Sequence, residues 1–314
     1  MELSFEKWHG LKNDFIVIYL PEHDELTFDA IIRKSPKLCA RDGSGIGADG
    51  ILVLHTSSDN SNFLPKKLTI INSDGSIAEN CGNGLRCCAG SIYKKAQING
   101  QLSSIENGFE LELRKFKAQI RFHESLAKEV PYIEINMGTP EGETSFGNAS
   151  KIRQEIKEAI EDLGLSKILG EFHLLSLSNP HVVFPVNESN QELIRKLGPA
   201  LQNLQSIDGI NVHTYHEDEP DRKDIANAHN HIESSISGLL KAHTWERGAG
   251  ETEACGSGAC CIAAFQLSDG LTERSEPIGI DMPGGRLYIK QEDQSSDIYM
   301  SGPAEYVFSG VFEI

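Results

Sequence analysis

Trp245-Glu-Arg-Gly-Ala-Gly-Glu-Thr-Glu-Ala-Cys255-Gly-Ser-Gly-Ala-Cys-Cys-Ile-Ala263 is a glycine-rich approach to one cysteine, two glycines around a small residue, and a short apolar run. Gly256 and Gly258 let the backbone turn tightly and come close to a ligand. The run from Ala259 to Leu267 is helical in composition and stops before Asp269-Gly270, a C-terminal signal. Cys255 is therefore expected where a loop enters a helix. There, free N–H groups and the helix dipole favour an anion, whether a thiolate or a bound carboxylate.

A second copy of the pattern starts at Cys81. Laid over Cys255 to Ala263, it matches at five of nine positions: Cys81/Cys255, Gly82/Gly256, Gly84/Gly258, Cys87/Cys261 and Ala89/Ala263. Asn72 and Glu246 each stand nine residues before the leading cysteine, and the copies begin 174 residues apart in a chain of 314. That spacing is too long for a solenoid repeat and suits two similar domains.

Bulk composition narrows the partners. The formal net charge of −17 argues against a nucleic acid held through its phosphates. No apolar run approaches transmembrane length, and the start Met-Glu-Leu-Ser-Phe-Glu-Lys-Trp lacks the build of a signal peptide, so a cytoplasmic protein without membrane contact is expected. The seven cysteines (39, 81, 87, 88, 255, 260 and 261) are an odd number, which argues against a disulfide framework. Cys87-Cys88, Cys260-Cys261 and Cys39 read as small core residues.

Around these two stretches the chain alternates strands and helices. Residues 1–20 predict a strand, a polar turn holding Asn13 and Asp14, and a buried strand over Ile16–Tyr19. Turn chemistry and a ligand-facing amide are both open for that pair. Further strands are predicted at Ile51–Leu54, Leu68–Ile71, Phe109–Leu113, Tyr132–Asn136, His173–Leu177, Val182–Phe184 and Gly209–Val212, and more after the Cys255 helix. Ser178-Asn179-Pro180-His181 reads as a turn at a strand end. Residues 216–238 break the pattern: His216–Asp224 is an acidic run, His229 and His231 lie just after it, and with His213 nearby a metal site is conceivable. No closed zinc spacing is present, and a solvated loop is expected rather than a metal site. Mixed strands with few helices imply α+β rather than a doubly wound sheet. The expected halves are residues 1–132 with Cys81 and 133–314 with Cys255, the last strands packing back onto the first half.

Two cysteines at two helix starts suggest a reaction. If they flank one carbon, a thiolate on one face removes a proton and a thiol on the other returns one. That inverts the centre: racemisation or epimerisation of an amino acid. Backbone N–H groups at the helix ends would meet the charge that builds on its carboxylate. A thiol redox or metal protein is the alternative from another class, but no Cys-x-x-Cys spacing supports it. A related racemase and a catalytically silent amino-acid binder of the same fold are further alternatives.

His9-Gly-Leu-Lys-Asn-Asp-Phe15, Asn72-Ser-Asp-Gly75, Cys81-Gly-Asn-Gly84, Asn179-Pro-His181, Gly209-Ile-Asn211, Trp245-Glu-Arg-Gly-Ala-Gly-Glu-Thr252 and Cys255-Gly-Ser-Gly258 occur in that order. Together they resemble the diaminopimelate epimerase family over essentially the whole chain. The resemblance implies two pseudo-symmetric domains, each with antiparallel-rich strands wrapped around a central helix and the active site in the cleft between them. It also implies no cofactor, no metal, a homodimer, and conversion of LL- to meso-diaminopimelate for lysine and peptidoglycan synthesis. Cys81 would be the proton donor and Cys255 the acceptor for the LL substrate. Gly82, Asn83, Gly256 and Ser257 would hold the reacting carboxylate, and Asn13 the reacting ammonium. Asn72, Asn179, Asn211, Glu246 and Arg247 would bind the distal end, while His181 and Glu246 would tune the thiols. Four features depart from the family: Lys12 replaces a glycine, Gly50 stands where a glutamine can occur, 216–238 is longer, and Phe308 takes the place of an interface tyrosine.

Overall fold

The computed structural model describes residues 1–57, 64–78, 81–123, 131–218, 236–268 and 276–314. Most of the acidic 216–238 stretch, with His229 and His231, lies outside the described residues. The chain divides into two compact units, Met1–Ile135 with Gly302–Ile314, and Asn136–Ser301.

In the first unit, β1 (Glu2–Gly10) and β2 (Asn13–Pro21) form a hairpin, followed by α1 (Glu25–Cys39), β3 (Gly50–Thr56), β4 (Lys67–Asn72) and the short β5 (Ile77–Ala78). Helix α2 (Gly82–Ile98) leads to β6 (Phe109–Glu112), β7 (Lys117–His123) and β8 (Tyr132–Asn136). β1 and β2 are antiparallel, β2 and β3 parallel, β3 and β4 antiparallel, β4 and β6 parallel, and β6, β7 and β8 antiparallel in turn.

The second unit opens with α3 (Ala149–Asp162). β9 (His173–Leu177), β10 (Asn179–Pro185), α4 (Gln191–Leu201), β11 (Asn211–Asp218), β12 (Gly238–Glu246) and the short β13 (Gly250–Thr252) follow. Then come α5 (Gly256–Ser268), β14 (Ile278–Met282), β15 (Gly285–Gln291) and β16 (Ile298–Gly302). The pairing sequence from β9 to β16 is antiparallel, parallel, antiparallel, parallel, antiparallel, antiparallel, with β13 hairpinned on β12 as β5 is on β4. Strand for strand, this is the order of the first unit. The last strand, β17 (Glu305–Glu313), pairs antiparallel with β1 of the first unit. The fold is α+β and built from a repeat.

Register turns the repeat into residue correspondences. Phe15 pairs with Gly50 and Gly50 with Asn72 in one unit. In the other, His181 pairs with Asn211, and the Val212–Trp245 pair puts Asn211 level with Glu246. Asn13 thus corresponds to Asn179, Phe15 to His181, Gly50 to Asn211, Leu52 to His213, and Asn72 to Glu246.

Period-two alternation explains how each sheet serves two layers. In the first unit Ile16, Ile18, Leu20, Ile51, Val53 and Ile71 pack with Ile31, Leu38 and Cys39 of α1. In the second, Val182, Phe184 and Val212 pack with Ile194, Leu197 and Leu201 of α4 and with Ile152 and Ile156 of α3. The alternate residues face the other way, towards α2 or α5. Helix α5 is buried along nearly its whole length, as expected for a helix apolar all round.

Two turns differ from expectation. Asn13 and Asp14 belong to β2, and the reversal is made by Leu11 and Lys12, both left-handed at φ 55° and 66°. Asn179-Pro180-His181 is no turn either: it starts β10, and Ser178 alone reverses the chain at φ 65°. Proline forces the preceding Asn179 into extended backbone, and a strand's first positions tolerate its missing N–H.

Candidate active site

Each motif cysteine is the residue just before its helix. Cys81 caps α2 in extended conformation, and its sulfur accepts the Gly84 N–H at 3.3 Å. Cys255 stands before α5, and its sulfur accepts the Gly258 N–H at 3.4 Å. Ordinary caps use Ser, Thr, Asp or Asn for this bond. Here the sulfur takes the oxygen's place, so the free N–H groups of the first turn are aimed at a thiol. The helix-end placement expected from the sequence is what both units show.

The sequence also suggests that these helix ends favour a thiolate. For Cys255, burial wins: it is 3% exposed, and desolvation together with the nearby Glu246 carboxylate pushes the thiol well above its usual pKa. The Ser257 hydroxyl, 3.6 Å from the sulfur, and the Gly258 N–H pull the other way but do not prevail.

Around Cys81 the first unit gathers an amide chain. Asn13 donates to Asp49 at 2.6 Å, Asn83 donates to Asn13 Oδ1 at 3.2 Å, and Arg86 donates to Asn83 Oδ1 at 2.7 Å. Arg86 is wholly buried and also donates to the Pro303 carbonyl at 3.2 Å. Arg41 bridges Asp14 and Asp49, and Lys7 pairs with Asp14 at 2.8 Å. These cations hold the Asp14 carboxyl below its usual range against the opposing effect of its burial. Asn72, at the end of β4, donates to Ser76 Oγ at 2.9 Å. Gly50 opens β3 level with it, and a Cβ there would come within 2.7 Å of the Ile71 carbonyl, so no side-chain amide fits in this backbone. Asp49, Arg41 and Arg86 carry no role in the sequence reading. Arg86 lies inside the Cys81 motif itself, which is the signal that could have found it.

In the second unit Arg247 is the hub. Its guanidinium donates to Asn179 Oδ1 at 3.0 Å and to the Asp208 carbonyl, and its backbone N–H donates to Asn211 Oδ1 at 3.0 Å. Glu246 accepts from the Thr252 hydroxyl at 2.6 Å. Hence Asn179, Asn211 and Arg247 are brought together on their own unit, and Asn13 and Asn83 on theirs. His181 is buried, 2.8 Å from a second buried histidine, His213. One nitrogen of each ring and the Cys255 sulfur lie within 4.8 Å of one another. In the sequence His213 stands only as a neighbour of the acidic run that starts at His216. Its place two residues after Asn211, on the same strand face, is the sign it carries. Phe308 is 43% exposed on β17 and sits edge-on to Phe5 at 5.8 Å.

The sequence profile of diaminopimelate epimerase matches residues 5–123 and 174–307. The chain belongs to the diaminopimelate epimerase family. A diaminopimelate epimerase of Leptospira biflexa is 32% identical over the full length of both chains, and one of Bacillus velezensis is 31% identical over 98% of each. Among solved structures, a phenazine biosynthesis protein of Bacillus anthracis superposes over the full length of both chains with TM-score 0.65 at 16% identity. A hydroxyproline epimerase of Agrobacterium vitis gives 0.60 at 11% identity, covering 99% of this chain and 92% of that one. These two likenesses show a shared fold. Membership of the epimerase family makes the chain an isomerase. No described helix is long and apolar enough to cross a membrane.

Proposed function

We propose that this enzyme interconverts LL- and meso-2,6-diaminopimelate by exchanging a proton through Cys81 and Cys255. In the LL direction the Cys255 sulfur, as thiolate, takes the α-proton, and the electron pair of the broken C–H bond delocalises into the adjacent carboxylate. The Cys81 thiol then gives its proton to the opposite face of the same carbon. Atoms and charge balance: one thiol is formed, one thiolate is left, and the centre is inverted. The reading requires both sulfurs to reach opposite faces of one α-carbon.

The observation that carries it is the equivalence of the two thiols. Each takes the capping bond of a buried helix at the same place in the same strand order. The N–H groups of Gly82, Asn83, Gly256 and Ser257 lie in the first turns, where a reacting carboxylate would replace water as their partner. The raised pKa of Cys255 suits this scheme. A thiolate formed in a buried site is a stronger base than one in water, and the substrate's ammonium is a cation that offsets it. Asn13 would serve that ammonium. Arg247 offers a planar fork for the distal carboxylate, with Asn179 and Asn211 already oriented on it, and Asn72 and Glu246 complete the distal site. His181 and Glu246 would adjust the thiol.

The test is direct. Purified protein given LL-diaminopimelate should form the meso isomer, and Cys81→Ala or Cys255→Ala should each cut the rate at least about a hundredfold, the low end for loss of an acid or base. Near-normal turnover by either variant would end the paired role.

A homodimer joined through β17 fits the same reading. Val307, Phe308 and Val311 on that strand are 50%, 43% and 62% exposed, more apolar surface than a lone strand face needs to leave uncovered. A monomer by sedimentation at micromolar concentration would remove it. A cytosolic location follows from the same assignment, since the products serve lysine and cell-wall precursor synthesis.

A further inference from the structure

The two repeats differ at a slot that touches the start of the cysteine helix. A Cβ added to Gly84 would meet Leu52 Cδ2 at 3.0 Å, and one added to Gly258 would meet His213 Cε1 at 2.2 Å. Leu52 and His213 are corresponding residues, and so are Phe15 and His181, each on the neighbouring strand two residues before the register partner, Val17 or Val183. One unit therefore fills this layer with two apolar side chains, the other with two imidazoles. Packing alone does not ask for histidines, because the first repeat does the same job without them.

The imidazoles carry a cost as well. Both rings are fully buried, stacked at 5.1 Å between centroids, and joined by a 2.8 Å hydrogen bond between His181 Nδ1 and His213 Nε2. The remaining nitrogens, His181 Nε2 and His213 Nδ1, have no hydrogen-bond partner. Each buried polar atom left so costs roughly 1–3 kcal/mol. The Cys255 sulfur lies close by, within 4.8 Å of one nitrogen of each ring, with neither open nitrogen hydrogen-bonded to it.

We propose that His213 is a positioning residue for proton exchange at Cys255, acting with His181 as a neutral two-ring relay whose open nitrogens serve the sulfur. A neutral pair joined by one hydrogen bond always ends in one N–H and one lone pair. If His181 Nδ1 donates to His213 Nε2, then His181 Nε2 has the lone pair and His213 Nδ1 the proton. If the central bond runs the other way, the ends exchange. With the open ends brought to the sulfur, Cys255 would meet an acceptor as a thiol and a donor as a thiolate. A proton arriving at one open nitrogen while another leaves from the far end reverses the central bond and leaves both rings uncharged. Burial favours that neutrality, driving His213 down to about 3 and His181 well below its usual value. A metal ion is the competing use of these three side chains. It would have to push apart a pair of nitrogens already bonded at 2.8 Å, since ligands of one tetrahedral ion with bonds near 2.0 Å sit roughly 3.3 Å apart.

The proposal rests on the role of Cys255 given above, and its test separates the two. His213→Leu installs the residue of the other repeat, while His213→Gln keeps a group able to reach His181. Both variants are first shown to melt cooperatively. Alkylation by iodoacetamide, a reagent smaller than the substrate, is followed at each cysteine by peptide mass mapping. Steady-state epimerisation of LL-diaminopimelate is measured in parallel. In His213→Leu, alkylation at Cys255 should slow by about tenfold, the effect of one pKa unit on the thiolate fraction. Cys81 should stay within about twofold, and kcat should fall with KM little changed. His213→Gln should recover most of both losses. Wild-type alkylation and kcat in His213→Leu, or a Gln variant as impaired as the Leu variant, would overturn the relay. So would stoichiometric zinc in the wild-type protein whose removal alters Cys255 alkylation. Should the wild-type enzyme fail to epimerise diaminopimelate, the substrate assignment falls while the alkylation comparison still decides the relay.

Discussion

The backbone N–H of Gly84 points at the Cys81 sulfur from 3.3 Å, so the proposed proton donor is also the cap of its own helix. The two roles respond differently to substitution. Cys81→Ser supplies a better cap, while Cys81→Ala supplies none; the alanine variant should be about 1 kcal/mol less stable than the serine variant. Activity should not follow stability, because a serine hydroxyl is far too weak an acid and base to replace a thiol. Paired denaturant melts and rate assays check this. A serine variant with near-normal turnover would break the separation.

Stability should fall on acidification. His213 has its pKa lowered to about 3 and His55 to about 4, in each case chiefly by burial. In the unfolded chain both titrate near 6.5, so below that pH the unfolded state binds protons that the folded state refuses. Stability is therefore full above about pH 6.5 and is lost as pH drops towards 3–4, by as much as about 1.4 kcal/mol per pH unit for each histidine. Urea midpoints at pH 7.5, 6 and 5 should decrease in order, and His213→Gln should flatten the slope. A midpoint independent of pH across that range would contradict it.

Lys12 tests the hairpin that delivers Asn13. Leu11 and Lys12 both sit at positive φ, a conformation that disfavours L-residues by roughly 1–2 kcal/mol each. Lys12→Gly should raise the melting temperature by a few degrees, less the extra entropy a glycine gives the unfolded chain. A lower melting temperature would mean that contacts of the lysine side chain outweigh the strain.

Arg247 should separate binding from chemistry. Its guanidinium already engages Asn179 Oδ1 and the Asp208 carbonyl, leaving the rest of the fork for a carboxylate. Arg247→Lys keeps the charge but not the planar pair of donors. KM for diaminopimelate should rise by about tenfold or more with a smaller change in kcat. A fall in kcat alone would place Arg247 at the reacting end instead.

What the letters convey and withhold follows from range. The Cys81 and Cys255 helix starts are legible because the glycines that allow N–H groups to crowd a sulfur sit within three residues of it. The α+β class is legible because alternation in stretches such as Phe109–Glu112 is local. The repeat in strand order is visible only as two matching motifs, because parallel pairings such as β2 with β3 join residues 35 positions apart (Phe15 and Gly50). The start of β10 is misread because Asn-Pro-His has turn composition, while the actual reversal falls on Ser178, whose positive φ no neighbouring residue announces. His213 escapes notice as a site residue for the range reason too. Its meeting with His181 and Cys255 is made by a parallel pairing and a helix entry far along the chain.

Deuterium placement distinguishes exchange between two single-proton groups on opposite faces from inversion through one shared base. LL-diaminopimelate is incubated with the enzyme in D2O, the reaction is stopped at low conversion, and each isomer is examined by proton NMR and mass spectrometry. Two single-proton thiols should put one deuterium on the inverted α-carbon of the meso product, while recovered LL substrate stays almost unlabelled. Label appearing in the recovered substrate as fast as in the product, or a product with none, would contradict exchange between Cys81 and Cys255.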